Sequence, residues 1–175
     1  TFLRPRSFWP YYEKILRHMA GLGEVKPNVP HGKLDKQFLH ADVTVVGSGP
    51  SGMAAAMTAA EKGARVLLFD ENLMVGGHLR YLASGTNESS LLFDLRTGLD
   101  RHPNLKIFTE TTVCGWYQDN WLLAVNERRL FKIRTRSMVI ATGAYDAPLL
   151  FENNDLPGVM LGGGLKRLLH LFRVV

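Results

Sequence analysis

The sequence predicts an α/β fold: a parallel sheet flanked by helices, with an antiparallel β-meander inserted into it. Three observations carry this. Between Ala41 and Asp70 a strand, a glycine-rich turn, a small-residue helix and a second strand follow one another. Between Thr111 and Thr135 the period changes to short strands, with turn signals at Asp119-Asn120 and Glu127-Arg128. The run Met138-Val139-Ile140-Ala141 then returns to the pattern of a buried strand.

Taken in order, Ser7 to Met19 reads as an amphipathic helix, with Phe8, Tyr12, Ile15, Leu16 and Met19 near helical spacing. Pro10 suits its first turn, and Gly21 and Gly23 its end. Such an aromatic stripe is expected to be a docking face, and His18 a surface residue. Pro27, Pro30 and Gly32 mark a linker, and residues 33–41 lead into the first strand. The expected organisation is an N-terminal helix and linker over 1–40, a nucleotide-binding domain over 41–145 with its meander at about 111–135, and a connection over 146–175 toward a second half.

Asp42 to Val46 is a short β-branched run, as a strand covered on both faces should be. Gly47-Ser48-Gly49-Pro50-Ser51-Gly52 matches G-x-G-x-x-G, and it leaves a strand and opens a helix, the context that gives the pattern meaning. Gly47 makes the tight turn, Gly49 lets a pyrophosphate approach the backbone, and Gly52 lets the helix pack close to the sheet. Pro50 falls in the first helical turn, where its missing N–H costs nothing. The helix N-terminus offers free N–H groups and a positive dipole end to phosphates. Ala54, Ala55, Ala56, Ala59 and Ala60 keep the helix close to the sheet, and Gly63 ends it. Val66 to Phe69 is a second buried strand. Asp70 closes it at close to the roughly 20-residue spacing expected of the acid that binds ribose hydroxyls. This unit is Rossmann-like, and it makes Gly47, Ser48, Gly49, Pro50, Ser51, Gly52 and Asp70 candidate cofactor-binding residues.

Glu71 and the pair Gly76-Gly77 follow at the same carboxyl end of the sheet, where open α/β folds bind ligands. Glu71, Gly77 and His78 join the candidates, and His78 is also a candidate acid–base group with no partner in view. Asn87 to Arg101 reads as a helix with Leu91, Leu92, Leu95 and Leu99 on one face, and Leu105 to Thr109 as a third strand. The meander is expected over Val113–Gln118, Trp121–Val125 and Leu130–Arg134. Val113 opens it, and its backbone is a candidate contact to an adenine. Ser137 to Ala141 is the next buried strand, and its end, Thr142 and Gly143, is a further close-approach site. Gly162-Gly163-Gly164 lacks the Lys-Ser/Thr ending of a P-loop and reads as a flexible turn before an apolar, basic helix from Leu165 to Phe172.

The 175 residues, 46% of them hydrophobic, suffice for one ordinary domain with a core. The net charge of +5 is scattered. Its local cluster, from Arg128 to Arg136, is expected to be a solvated strand face or subunit contact rather than a nucleic-acid site. Cys114 is the single cysteine, so no internal disulfide, C-x-x-C redox pair or cysteine zinc site exists; it reads as a half-buried strand residue. No metal site is expected. No run of about 18 apolar residues is present and no signal-peptide pattern, so neither a membrane span nor export is expected and a cytoplasmic location is the default. The chain starts at Thr1 and ends on Leu171-Phe172-Arg173-Val174-Val175, and a piece of a longer protein is expected.

The glycine turn, Asp70, Gly76-Gly77, the insert and Val139-Ile140-Ala141-Thr142-Gly143 occur in an order that resembles the two-dinucleotide-fold flavoproteins of the pyridine nucleotide–disulfide oxidoreductase type. The resemblance implies that the turn binds the FAD pyrophosphate, that the acid binds the ribose, and that the Ala-Thr-Gly strand end lies by the cofactor. A narrower resemblance covers almost the whole chain. The segments Arg4-Pro5-Arg6-Ser7-Phe8-Trp9-Pro10-Tyr11-Tyr12-Glu13, Ala20-Gly21-Leu22-Gly23, Ala144-Tyr145-Asp146-Ala147-Pro148 and Phe151-Glu152-Asn153-Asn154-Asp155-Leu156-Pro157-Gly158-Val159-Met160 are similar to those of the sarcosine oxidase alpha subunit family. Relatives of that family include dye-linked proline dehydrogenase, opine oxidase and hydrogen cyanide synthase. This implies a part of a multisubunit flavoenzyme that oxidises a small secondary or N-methyl amine, not active alone. It implies FAD or NAD at the glycine turn, with FMN only at a subunit interface. Family members carry a ferredoxin-like N-terminal part, a second nucleotide half and often an aminomethyltransferase-like part, none of which is present here; many have a small residue where this chain has His78. The catalytic residues, the amine and the electron acceptor are left open. So are two other readings: a non-catalytic subunit that holds a nucleotide, and an NAD(P)H-dependent flavoprotein reductase, which needs a second G-x-G-x-x-G that the chain lacks.

Overall fold

The computed structural model describes residues 6–21, 34–82 and 87–174. Of the two glycines expected to end the first helix, Gly23 lies outside the described residues, as do the linker marks Pro27, Pro30 and Gly32. The chain divides into two units, Thr1–Lys33 and Leu34–Val175.

In the first unit a single turn, Arg6–Phe8, runs into helix α1, Trp9–Met19, with Pro10 in its first turn. Gly21 follows with φ +63°, a conformation that ends a helix. Arg17 and Glu13 pair one turn apart at 2.9 Å on the exposed surface. No residue of α1 is buried.

The second unit is built on one six-stranded sheet: β1 (Asp35–Val46), β2 (Val66–Phe69), β3 (Leu105–Phe108), β4 (Thr112–Tyr117), β5 (Trp121–Val125) and β6 (Arg129–Ile140), in the order β3-β2-β1-β6-β5-β4. The strands β3, β2, β1 and β6 run parallel, β5 pairs antiparallel with β6, and β4 pairs antiparallel with β5 at the edge. Helices α2 (Pro50–Glu61) and α3 (Asn87–Leu99) cover one face. There Val45, Val66 and Leu68 meet Met53, Ala56, Ala60 and Leu99 in a dry core. Alternation sends Leu67 and Phe69 to the other face, where they join Leu122, Ala124, Phe131 and Ile133 of the meander. Phe108 bridges the two parts, stacked on Phe69 at 4.8 Å and edge-on to Phe131 at 5.4 Å. The meander is therefore the second cover of the parallel strands rather than a separate layer.

Five local expectations change. The first strand begins at Asp35, not Asp42, because Asp35–Ala41 pair in register with Arg129–Thr135. The third meander strand and the strand expected from Ser137 are one continuous β6. Its last residues are not buried: Met138 and Val139 are half-covered, each at the edge of one core, and Ile140 is 60% exposed. The glycine triplet is helical rather than a turn. It opens α4, Gly162–Lys166, with the Gly163 N–H donating to Asp146 Oδ2 at 3.0 Å, and a π-helical turn, Arg167–Leu171, continues it. Cys114 is exposed, its Sγ 3.5 Å from the Leu123 carbonyl oxygen.

Candidate dinucleotide site

Four chain segments meet at the carboxyl ends of β1, β2 and β6. Gly47 leaves β1 with φ +98°, a conformation that favours glycine. A Cβ there would also strike the carbonyl oxygen of Ala141 at the end of β6. The Gly47 N–H donates to the Phe69 carbonyl at 2.8 Å and the Ala141 N–H to Val46 at 2.8 Å, so the turn is tied to both neighbouring strands. Gly52, in the first turn of α2, is packed against the Gly47 carbonyl, whose oxygen a Cβ would overlap; the Ala141 Cβ stands 3.3 Å from the same point. That contact sets the close approach of helix to sheet that the third glycine predicts.

Gly49 differs. A Cβ built on it meets nothing within 4 Å. No protein packing demands a glycine at this position, which leaves an open approach to the backbone. Pro50 has no N–H, and those of Ser51 and Gly52 lie in the first turn, where a helix has no acceptor of its own. The second glycine pair closes one side. Gly77 is packed so tightly on Gly49 that a Cβ would stand 2.8 Å from its Cα, and the Gly76 N–H donates to the Ser48 carbonyl at 2.9 Å. These groups fit the diphosphate of a dinucleotide: open backbone at Gly49, unpaired N–H groups and a positive helix end.

Ser48 and Asp70 are joined beneath the turn. Ser48 is fully buried and Asp70 is 8% exposed. Asp70 Oδ2 accepts the Ser48 N–H at 2.7 Å and its hydroxyl at 2.5 Å. Oδ1 accepts the Asn72 N–H at 2.8 Å and its side-chain amide at 2.9 Å. Burial works against the charge on Asp70, but the hydrogen bonds from Ser48 and Asn72 outweigh it and hold the carboxyl below its ordinary range. The spacing argument picks out Asp70 and says nothing of where its oxygens point; a serine in the first x position of the turn, facing an Asp, is the signal for this pairing. The next residue, Glu71, is exposed beside the same strand end.

The remaining candidates are more dispersed. Ser51 is exposed on the first turn of α2, as are Thr142 and Gly143 just past β6. His78 is exposed in the short helix Gly77–Tyr81. Val113 pairs with Ala124, and its side chain packs on the second core. The backbone near it is linked to the site through the Thr111 N–H, which donates to the Asp70 carbonyl at 2.9 Å. Among the described residues no group of three His, Cys, Asp or Glu side chains is placed to hold a metal ion.

This fold and turn define a dinucleotide-binding module of the oxidoreductase type, and residues 42–97 match the FAD dependent oxidoreductase family. The chain is a homologue of sarcosine oxidase alpha subunits. It is 34% identical to that of Rhizobium meliloti (strain 1021), across 99% of this chain and 20% of the relative. It is 36% identical to that of Corynebacterium sp. (strain P-1), across 89% of this chain and 18% of the relative. The chain thus spans about a fifth of the length of these curated relatives. The crystal structure of L-proline dehydrogenase from P. horikoshii is similar to it at TM-score 0.69 and 28% identity, over 85% of this chain and 32% of that one.

Proposed function

We propose that this chain is the dinucleotide-binding part of a multisubunit, flavin-dependent amine oxidase or dehydrogenase, and that its ligand is FAD. The observation that carries the reading is the open Gly49 backbone, framed by Gly47, Gly52 and Gly77, each of which is closed to a side chain by packing. The match to the FAD dependent oxidoreductase family supports FAD over NAD. The homologous sarcosine oxidase alpha subunits support a CH–NH donor. Bound flavin supplies the acceptor for a hydride from such a donor.

In this reading the chain's residues bind and orient. The N–H groups of Ser51 and Gly52 hold the diphosphate, Asp70 sets the turn through Ser48, and Glu71 offers its carboxylate to the ribose. Thr142 and Gly143 border the cofactor, and Val113 reaches the adenine by its backbone. Residues 1–33 form the N-terminal extension, 34–145 the binding domain, which takes in residues 35–40 as the start of β1, and 146–175 the connection onward.

Other subunits of the oxidase are the expected partners. The segment after β6 supports this, because Tyr145 is 88% and Leu150 93% exposed, and apolar surface of this kind marks contacts. No helix is long and apolar enough to cross a membrane among the described residues. A cytoplasmic location and a small secondary or N-methyl amine substrate complete the proposal.

Titration of the purified chain with FAD and with NAD, followed by flavin fluorescence and calorimetry, tests the proposal. Saturable FAD binding that Gly49→Val abolishes is expected. Binding of NAD alone overturns it. With FAD bound and an artificial acceptor present, the chain by itself is expected to turn over neither sarcosine nor proline; sustained turnover would place the catalytic groups within it.

A further inference from the structure

We infer that Arg80 and Arg96 form a site for an oxyanion, a phosphate or a carboxylate, on the side of the Gly76-Gly77 turn facing α3. Arg80 lies on the short helix Gly77–Tyr81, and its stem packs on Gly76, with Cγ 3.1 Å and Cδ 3.6 Å from where a Cβ would stand. Leu92 of α3 closes the same spot. The Arg80 Nη1 is buried and has no hydrogen-bond partner. Arg96, also on α3, reaches the carbonyl of Val75, one residue before Gly76, through Nε at 3.2 Å and Nη2 at 2.5 Å. The Arg80 stem and the Arg96 guanidinium thus lie at adjacent backbone positions, Gly76 and Val75. Burial first, and then the positive charge of Arg80, push the Arg96 guanidinium below its ordinary range. Neither arginine forms an ion pair among the described residues.

A buried charged N–H without an acceptor is unfavourable, and a second cation beside it adds repulsion. An anion relieves both at once. Guanidiniums suit this role because their planar forks match the oxygens of phosphate and carboxylate. The Val75 carbonyl holds Arg96 in place, and Arg80 is the free donor. The arrangement stands on these residues alone, independent of which dinucleotide binds at Gly49.

The test is a titration of the purified chain with inorganic phosphate against chloride at matched ionic strength, read as the shift in thermal midpoint. The expected result is a saturable, phosphate-specific rise that weakens at least tenfold in apparent affinity in Arg80→Gln. Arg80→Lys keeps the charge and stem, guards against a folding defect, and is expected to lie between. Arg134→Gln, on the outer face of β6, is expected to behave as the parent. Repeating the titration with FAD at saturation identifies the source. Loss of the phosphate effect assigns the site to the dinucleotide's own diphosphate, and its persistence assigns it to a separate oxyanion; either supports the site. A rise no greater than chloride gives, or one unchanged in both Arg80 variants, overturns the inference.

Discussion

Asp70 Oδ2 accepts two hydrogen bonds from Ser48, one from its N–H at 2.7 Å and one from its hydroxyl at 2.5 Å. With Asn72 on the other oxygen, the carboxylate has four protein donors before any ligand arrives. This assigns Asp70 a share in building the turn. Asp70→Ala is expected to leave the buried Ser48 groups unsatisfied and to cost about 1–3 kcal/mol of stability. Glu71→Ala is expected to leave stability unchanged and to weaken dinucleotide binding. Denaturant midpoints together with FAD titration separate the two, and a stability loss confined to the Glu71 variant would reverse the assignment.

The same carboxylate makes stability depend on pH. Its folded pKa lies below the ordinary value of about 3.9. The unfolded state therefore binds more protons in that range, and stability falls as pH falls. The contribution of Asp70 is fully present above the unfolded pKa and is lost as pH drops through the folded one. Denaturant midpoints measured across the carboxylate range should fall less steeply in Asp70→Asn than in the parent. Parallel slopes would show that the hydrogen bonds do not favour the charged form.

How far the sequence led can be seen at particular residues. The glycine turn was legible because each step there is local: strand, turn and helix are contiguous, and the spacing of three glycines carries the backbone geometry. The length of β1 was not. Gln37, Leu39 and Ala41 alternate with the outward Lys36, Phe38 and His40, and so polar a run becomes a strand only because β6 lies beside it. The continuity of β6 was hidden by Thr135, Arg136 and Ser137. Thr135 is buried, yet its hydroxyl is satisfied by the Ser137 carbonyl at 2.9 Å, and Arg136 turns outward to within 3.7 Å of Asp42. Both are tertiary facts. The helical glycine triplet depends on Asp146, a residue 17 positions earlier, which no local pattern ties to it.

Thr44 gives a prediction of opposite sign. It is fully buried in β1, between Leu67 and Met138 in register, and its hydroxyl has no hydrogen-bond partner. An unsatisfied buried hydroxyl costs about 1–3 kcal/mol, and valine has the same shape without it. Thr44→Val is expected to stabilise the chain by about 1 kcal/mol and to leave dinucleotide affinity unchanged. Equilibrium unfolding in urea checks it; a loss of stability would mean that the hydroxyl has an acceptor.

The last prediction sets two glycines of one motif against each other. Gly49 and Gly52 are three residues apart, and their places in the motif give them different roles, approach of the diphosphate at Gly49 and close packing of helix on sheet at Gly52. Their surroundings differ completely. A methyl group on Gly52 would overlap the Gly47 carbonyl oxygen, which is backbone held to β2 by the Gly47 N–H, and it would crowd the Ala141 Cβ as well. Relief requires α2 to move off the sheet, and with it Met53, Ala56 and Ala60, which form the core against Val45, Val66 and Leu68. Overpacking of this kind costs about 1–3 kcal/mol or more. A methyl group on Gly49 meets nothing of the protein within 4 Å. It fills only the space through which a diphosphate reaches the backbone. Gly52→Ala should therefore lower the thermal midpoint strongly. Gly49→Ala should unfold near the parent's midpoint and lose FAD affinity. The pair is decided by two curves per variant, a melt and a titration, and a Gly49→Ala protein that melts normally and binds FAD as the parent does would remove the diphosphate from this turn.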